Sequence, residues 1–284
     1  MNEINAKAAR LSRHKLTLSD AELQRFAKLI YQRAGIVINA QKREMIFNRL
    51  ARRVQELSLN SFGEYAALLE SQPEQPEWQV FINALTTNLT SFFREAYHFP
   101  VLADHARQRA SGYRVWCTAA STGEEPCSIA ITLNEAIGSS VAGPRIWASD
   151  IDTSVLTKAQ QGIYRLADLR TLTDEQKRRY FLRGSGENRD FARAKPELLN
   201  SIHYQQVNLL DATWSVPDPF DAIFCRNVMI YFDAATQLTL LRRFARLLKP
   251  GGLLFVGHSE HFLHPDIPFR LLGQSVYKVA EKKR

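Results

Sequence analysis

Tyr113-Arg114-Val115-Trp116-Cys117-Thr118, then Ala119-Ala120-Ser121-Thr122-Gly123-Glu124-Glu125-Pro126, then Cys127-Ser128-Ile129-Ala130-Ile131-Thr132-Leu133, is the stretch that decides the fold. The first run reads as a strand, the last as a helix, and a turn of small residues joins them. In an open α/β sheet such a unit gathers backbone N–H groups around a ligand at the carboxyl end of the strand.

Downstream, apolar runs rich in β-branched and aromatic residues alternate with helical stretches: Val115–Thr118, Ile146–Ser149, Ile202–Val207, Ala222–Cys225, Leu253–Gly257 and Ser275–Val279. That alternation predicts a mostly parallel sheet covered on both faces. Lys249-Pro250-Gly251-Gly252 reads as the turn that ends a helix over Ala234–Leu248 and feeds the strand at Leu253. No clear helix separates the last two strands, which read as an antiparallel hairpin at the sheet edge. A final antiparallel strand marks the methyltransferase variant of this architecture rather than the dehydrogenase one. The expected fold class is therefore α/β, a Rossmann-like, doubly wound S-adenosylmethionine-dependent methyltransferase sheet with an antiparallel last strand.

The turn itself supports that choice of ligand. It is acidic and carries one glycine, Gly123. Two carboxylates would repel a pyrophosphate, whereas Glu124 or Glu125 suits a ribose hydroxyl or a cationic sulfonium, which ranks S-adenosylmethionine above NAD. Ligands of open sheets bind beyond the strand ends. Asp150 follows the second strand and suits both ribose hydroxyls; Asn208 and Leu209 follow the third and suit adenine; Arg226, Asn227 and Tyr231 follow the fourth. Taken singly, Asp150 reads equally as a helix N-cap and Asn227 as a turn former. Their recurrence at successive strand ends favours a site.

Ahead of the sheet, residues from about Ser19 to Leu85 read as short helices forming a small all-helical domain. Ser19 and Glu22 stand in capping-box positions, Gly35 ends the first helix, and the second runs from about Ala40 to Leu57 with Ile46, Leu50, Val54 and Leu57 on one face. Lys42, Arg49, Arg52 and Arg53 gather on the adjoining flank, which reads as a solvated basic face or as a docking stripe for an acidic helix. The expected domains are a helical domain over 1–85, a linker over 86–112 contributing to the cofactor site, and a methyltransferase domain over 113–284. Between Tyr164 and Asn200 the strand–helix alternation breaks, which suits an inserted β-subdomain at about 178–201 with Gly184-Ser185-Gly186 as a hairpin turn.

The net charge of +8 points to acidic partners without choosing among nucleic acid, membrane surface and protein. Cys117, Cys127 and Cys225 lack C-x-x-C spacing and sit in apolar contexts, as expected of reduced thiols in a cytoplasmic protein. The polar stretch Met1–Arg13 has no signal-peptide core, and no apolar run spans a bilayer, so no direct membrane insertion is expected. His258 and His261 lack companion ligands, so no metal is expected.

Three long motifs and a short one make a specific resemblance. Asn88 to Glu95 (Asn-Leu-Thr-Ser-Phe-Phe-Arg-Glu), Ala119 to Pro126, Cys225 to Phe232 (Cys-Arg-Asn-Val-Met-Ile-Tyr-Phe) and Gly257-His258-Ser259-Glu260 together resemble the chemotaxis receptor methyltransferases of the CheR family over nearly the whole chain. The resemblance implies an S-adenosylmethionine-dependent protein-glutamate O-methyltransferase acting on the cytoplasmic helices of chemoreceptors. It places cofactor contacts on Asn88, Thr90, Arg94, Glu125, Asp150, Asn208, Leu209, Arg226 and Asn227, and docking on Arg49, Arg52 and Arg53. It also implies that Arg183, Gly184 and Arg193 hold a peptide at the receptor C-terminus. Cys127 departs from the tyrosine expected there.

The chemistry expected is undemanding: a glutamate with an ordinary pKa near ~4.3 is already a nucleophile at neutral pH, so alignment and exclusion of water dominate. Arg94 is the candidate to orient a carboxylate and Tyr231 to line the methyl channel. Two rivals stand beside this reading. A nucleic-acid methyltransferase would share charge and fold, but the chain has neither an Asn/Asp-Pro-Pro-Tyr/Phe motif nor a Pro-Cys after the fourth strand. A non-catalytic receptor-binding module would keep the pocket only as scaffold.

Overall fold

The computed structural model describes residues 16–109, 112–139, 143–262 and 266–280; the basic stretch Met1–Arg13 lies outside them. The chain divides into two compact units, Met1–Thr86 and Thr87–Arg284.

Among the described residues the first unit holds four α-helices: α1 (Asp20–Ala34), α2 (Arg43–Glu56), α3 (Phe62–Ser71) and α4 (Glu77–Leu85). Ser19 and Glu22 form the expected capping box, and Gly35 ends α1 in the left-handed conformation at φ 69°. The second helix opens with a 3-10 turn, Ala40–Lys42, before α2 proper begins. Phe26, Phe62, Tyr65 and Phe81 are fully buried and pack ring against ring, with centroids 5.8–6.2 Å apart where they meet.

In the second unit α5 (His98–Arg107) leads into β1 (Val115–Cys117), α6 (Glu124–Ile137), β2 (Ile146–Asp150) and α7 (Thr153–Gln161). There follow β3 (Ile163–Arg165), α8 (Asp174–Tyr180), β4 (Phe181–Arg183), β5 (Phe191–Ala194), α9 (Pro196–Leu199) and β6 (Ile202–Gln206). The unit closes with β7 (Phe220–Cys225), α10 (Ala234–Leu247), β8 (Leu248–Val256), β9 (Phe269–Gly273) and β10 (Val276–Val279). The main sheet has seven strands in the order β6-β2-β1-β7-β8-β10-β9. The first five run parallel, and β10 is antiparallel to both of its neighbours. Side chains alternate across β1: Val115 and Cys117 join one core with α5 and α6, while Trp116 joins the other with Leu240, Leu241 and Phe244 of α10. That two-sided burial makes the sheet doubly wound.

Several sequence expectations shift. Helix α6 starts at Glu124, so the two glutamates form its first turn and are buried there rather than lying in an open loop. Lys249–Gly252 is counted within β8, but as a bulge: Phe220 pairs with Leu248 while Ala222 pairs with Leu253, and Gly251 takes φ 76°. The sheet edge belongs to β9, and β10 lies between it and β8. Leu271 and Leu272 are adjacent and both exposed, so β9 lacks the alternation that announces a strand. The inserted sheet, β3-β5-β4, begins at Ile163 rather than about 178, because its three-residue first strand is too short to show a period. Gly184 opens the β4–β5 hairpin, where an added Cβ would lie 2.1 Å from the Asn188 carbonyl oxygen.

Candidate active site at the carboxyl ends of the strands

Strand order reverses beside β1, with β2 on one side and β7 on the other; at such a point the loops part and leave a crevice. Between β1 and α6 the chain turns through Ser121 at φ 48° and Gly123 at φ 99°. A Cβ on Gly123 would sit 2.7 Å from the Tyr164 hydroxyl, so only glycine fits. The Ser121 N–H donates to Asp150 Oδ2 at 2.8 Å, and its hydroxyl donates to the Asn88 carbonyl at 2.9 Å. The Asn88 amide donates to Asp152 Oδ2 at 2.7 Å. One serine therefore joins the segment ahead of the sheet to the carboxylate at the end of β2.

The cap on α7 is Asp152, which accepts from the N–H groups of Ser154 and Val155, so Asp150 is not spent as an N-cap. Each Asp150 oxygen takes one backbone N–H, from Ser121 and from Asp152. An ionised carboxylate has about four acceptor sites, which leaves capacity for a vicinal diol. Burial pushes the Asp150 carboxyl up to about 6, against the pull of those N–H groups.

Beside it stands a buried charge relay. Arg226, fully shielded, donates through Nη1 to Glu125 Oε2 at 2.7 Å and through Nη2 to the Arg94 carbonyl, and Nη2 also lies 3.3 Å from Glu95 Oε2. Cys117 Sγ donates to the other oxygen of Glu125 at 3.3 Å. Burial pushes Glu125 up despite Arg226. For Glu95 burial also works upward, but the His258 and Asn227 hydrogen bonds and the Arg226 charge outweigh it and bring the carboxyl down to about 2. Arg226 Nε is buried with no hydrogen-bond partner. A buried carboxylate with acceptor capacity to spare, a buried guanidinium with a spare donor and the amide and apolar pair at Asn208 and Leu209 are of the chemistry that S-adenosylmethionine requires.

Sequence reasoning quoted Glu95 and Glu260 in motifs without giving them work. Glu260 is buried, and its carboxylate accepts the N–H groups of Gly257 at 2.5 Å, Asn227 at 2.9 Å and Ile230 at 3.3 Å. It thereby fixes the loop carrying Arg226, Asn227 and, in a 3-10 turn, Tyr231. Phe93, Glu95, Ser121 and Asn227 all adopt positive φ, and such conformations persist only where surroundings enforce them. The signal available in sequence was position: Glu260 falls four residues beyond the β8 end, as Glu95 falls next to Arg94.

Other expected site residues are placed as follows. Arg94 donates to the Leu89 carbonyl at 2.8 Å, while Thr90 is half-buried in the same segment. Asn208 closes an Asx turn on the Leu210 N–H at 3.0 Å, and Leu209 is buried. Cys127 lies buried 3.7 Å from the Tyr164 hydroxyl, its thiol pushed up to about 12 by burial. In the helical unit, Arg49 donates to the carbonyls of Ala84 and Thr86, and Arg53 pairs with Glu77 and Glu56. Arg52, 85% exposed, pairs only with Glu56 among its recorded ion pairs. The three arginines are therefore unequal. In the inserted sheet Arg193 stands opposite Leu182 whereas Arg183 stands opposite Ala192, so the two arginines project to opposite faces. Among the described residues no cluster of His, Cys, Asp or Glu could hold a metal, and no helix is long and apolar enough to cross a membrane. His258 instead donates from Nδ1 to Glu95 Oε1, 3.0 Å away.

Comparison with known proteins agrees with this geometry. Residues 21–86 match the family model described as CheR methyltransferase, all-alpha domain, and residues 88–278 match CheR methyltransferase, SAM binding domain. A chemotaxis protein methyltransferase of Klebsiella aerogenes is 61% identical over 95% of this chain and 93% of its own length. One from Escherichia coli is 57% identical over 94% and 93%. A chemotaxis protein methyltransferase 2 of Pseudomonas aeruginosa is 50% identical over 91% and 93%.

Proposed function

The chain belongs to the CheR methyltransferase family, and from that premise we propose that it esterifies glutamate side chains on the cytoplasmic helices of chemoreceptors. Its role is methyl transfer in chemotaxis with S-adenosylmethionine as donor. When bound, that cofactor supplies an electrophilic methyl on a sulfonium. The observation that carries the reading is the joining of Asn88, Asp150 and the Glu125–Arg226 pair at one switch point.

Asp150 would hold the ribose, Asn208 and Leu209 the adenine, and Asn88, Thr90, Glu125, Arg226 and Asn227 the remainder. An incoming glutamate is ionised at neutral pH, so the protein need supply no base. Arg94 orients a carboxylate through a charge-assisted contact and Tyr231 lines the approach to the methyl. In the helical unit, over 1–85, Arg49, Arg52 and Arg53 face acidic receptor helices, and 86–112 serves as linker and site wall. Within 113–284, the receptor C-terminal peptide lies along the β4 edge of the inserted sheet at Gly184, where Arg183 and Arg193 reach it from opposite faces, which raises local concentration without altering the chemistry. Such work is done at the cytoplasmic face of the membrane through protein contacts.

Transfer of labelled methyl groups from S-adenosylmethionine to receptor fragments, scored as base-labile esters, tests the reaction. Absence of esters with a folded, cofactor-binding protein would leave only the binding-module reading. Arg94→Ala with near-normal transfer would remove Arg94 from the mechanism. Equal rates on fragments with and without the C-terminal peptide would remove the tether. A gel shift with duplex DNA that weakens steeply with salt would support the nucleic-acid alternative instead.

A further inference from the structure

The loop after β6 is held from outside the cofactor site by two side chains that no motif includes. Trp214 Nε1 donates to the Asn208 carbonyl at 3.2 Å. Arg243, on α10, donates to the Leu209 carbonyl at 3.2 Å through Nη1 and to the Ala212 carbonyl at 3.2 Å through Nη2. The guanidinium also lies over the Trp214 ring, 3.4 Å from its centroid. Behind it Trp214 stacks on Phe244, with centroids 5.5 Å apart, and meets Trp116 edge-on at 5.0 Å. Phe244 and Trp116 are fully buried.

These contacts form a chain from the rigid core to a loop with little regular structure of its own. Carbonyl groups in such a loop drift unless partnered. Arg243 spans two of them with one planar fork, which lysine cannot copy, and Trp214 takes a third while its ring fixes the fork by cation–π contact. The carbonyls of Asn208 and Leu209 are the main-chain groups of the two residues assigned to adenine. The main chain that carries their side chains cannot shift without breaking these bonds. We propose that Trp214 and Arg243 are positioning residues that set the adenine end of the cofactor site. The proposal rests on the assignment of adenine to Asn208 and Leu209.

The test compares equilibrium binding of S-adenosylhomocysteine and S-inosylhomocysteine, which differ only on the Watson–Crick edge of the purine, 6-amino with an N1 acceptor against 6-oxo with an N1–H donor. The variants are Trp214→Phe, which keeps the stacking and loses the donor, Arg243→Lys and Arg243→Gln, with Asn208→Ala and Leu209→Ala as direct probes. The expected result is about tenfold weaker binding of the adenine ligand in Trp214→Phe and Arg243→Gln, with a smaller loss in Arg243→Lys. Discrimination between the two ligands should fall in parallel. A role confined to general stability would weaken both ligands equally and leave their ratio at the wild-type value, which overturns the proposal. If Asn208→Ala and Leu209→Ala change the ratio while the clamp variants do not, the clamp is wrong and the adenine assignment stands. If none of the five changes it, the adenine assignment falls and takes the clamp with it. Far-UV circular dichroism on each variant confirms folding.

Discussion

Replacing Arg226 by Met tests whether the buried relay is an interdependent unit. The guanidinium touches Glu125 at 2.7 Å and Glu95 at 3.3 Å with no solvent exposure. Removing one partner of a buried ion pair typically costs about 3–5 kcal/mol, because the abandoned charge stays desolvated. Glu125 bears that burden, since its only other recorded side-chain donor is the weak Cys117 thiol, whereas Glu95 keeps His258 and Asn227. At roughly 2–4 °C per kcal/mol for a unit of this size, Arg226→Met should lower the unfolding midpoint by about 6–20 °C. Adding Glu125→Gln removes the stranded charge and should restore about 1–3 kcal/mol. Burial already holds the Glu125 carboxyl above its unfolded value, and losing Arg226 raises it further. The cost is then full above the raised folded value, shrinks as pH falls below it and is gone below the unfolded value near ~4.3. The assay is thermal unfolding of wild type, single and double variants between neutral and mildly acid pH. A loss below about 1 kcal/mol, or no recovery in the double variant, would refute the argument.

Three further outcomes are expected. Asp150 titrates near about 6 and serves the ribose as a carboxylate, so affinity for S-adenosylhomocysteine should hold above pH 7 and fall by up to about tenfold per pH unit below 6; flat affinity down to pH 5 contradicts that role. Arg52→Ala should change stability by less than about 0.5 kcal/mol, while Arg53→Ala, which removes the ion-pair partner of the buried Glu77 and leaves it the Tyr65 hydroxyl, should cost about 1–3 kcal/mol; urea titration and receptor KM separate docking from structure. Glu260→Gln sets an amide against three N–H donors and should lower kcat/KM at least about tenfold with the fold retained; unchanged kinetics would show that the Asn227 loop holds itself.

The strands β1, β2, β7 and β8 were legible because each presents an apolar run largely buried on both faces, whereas the edge strand β6 showed only in its apolar and aromatic start, Ile202 and Tyr204. Site positions at strand ends followed from that pattern, since Asp150 closes β2 while Asn208 and Arg226 stand just beyond β6 and β7. What stayed hidden depended on distant partners. Nothing local in Arg243 or Trp214 announces a loop carbonyl 31 and 6 residues away. Arg53 looked like Arg52, and only the fold brings Glu77 to one and solvent to the other. The edge strand β9 was obscured by adjacent exposed leucines, and the bulge in β8 read as a plain turn because Pro-Gly-Gly is equally at home in both.

The threading of β10 between β8 and β9 bears on the order of assembly. During synthesis β9 leaves the ribosome with no strand to pair with, because its partner is the segment that follows it. Its residues must wait, with Leu271 and Leu272 already in solvent, until β10 inserts and completes both ladders in one step. Closure of that half of the sheet is thus a late event, and the nascent chain carries an unfinished flank for aggregation or chaperone capture until then.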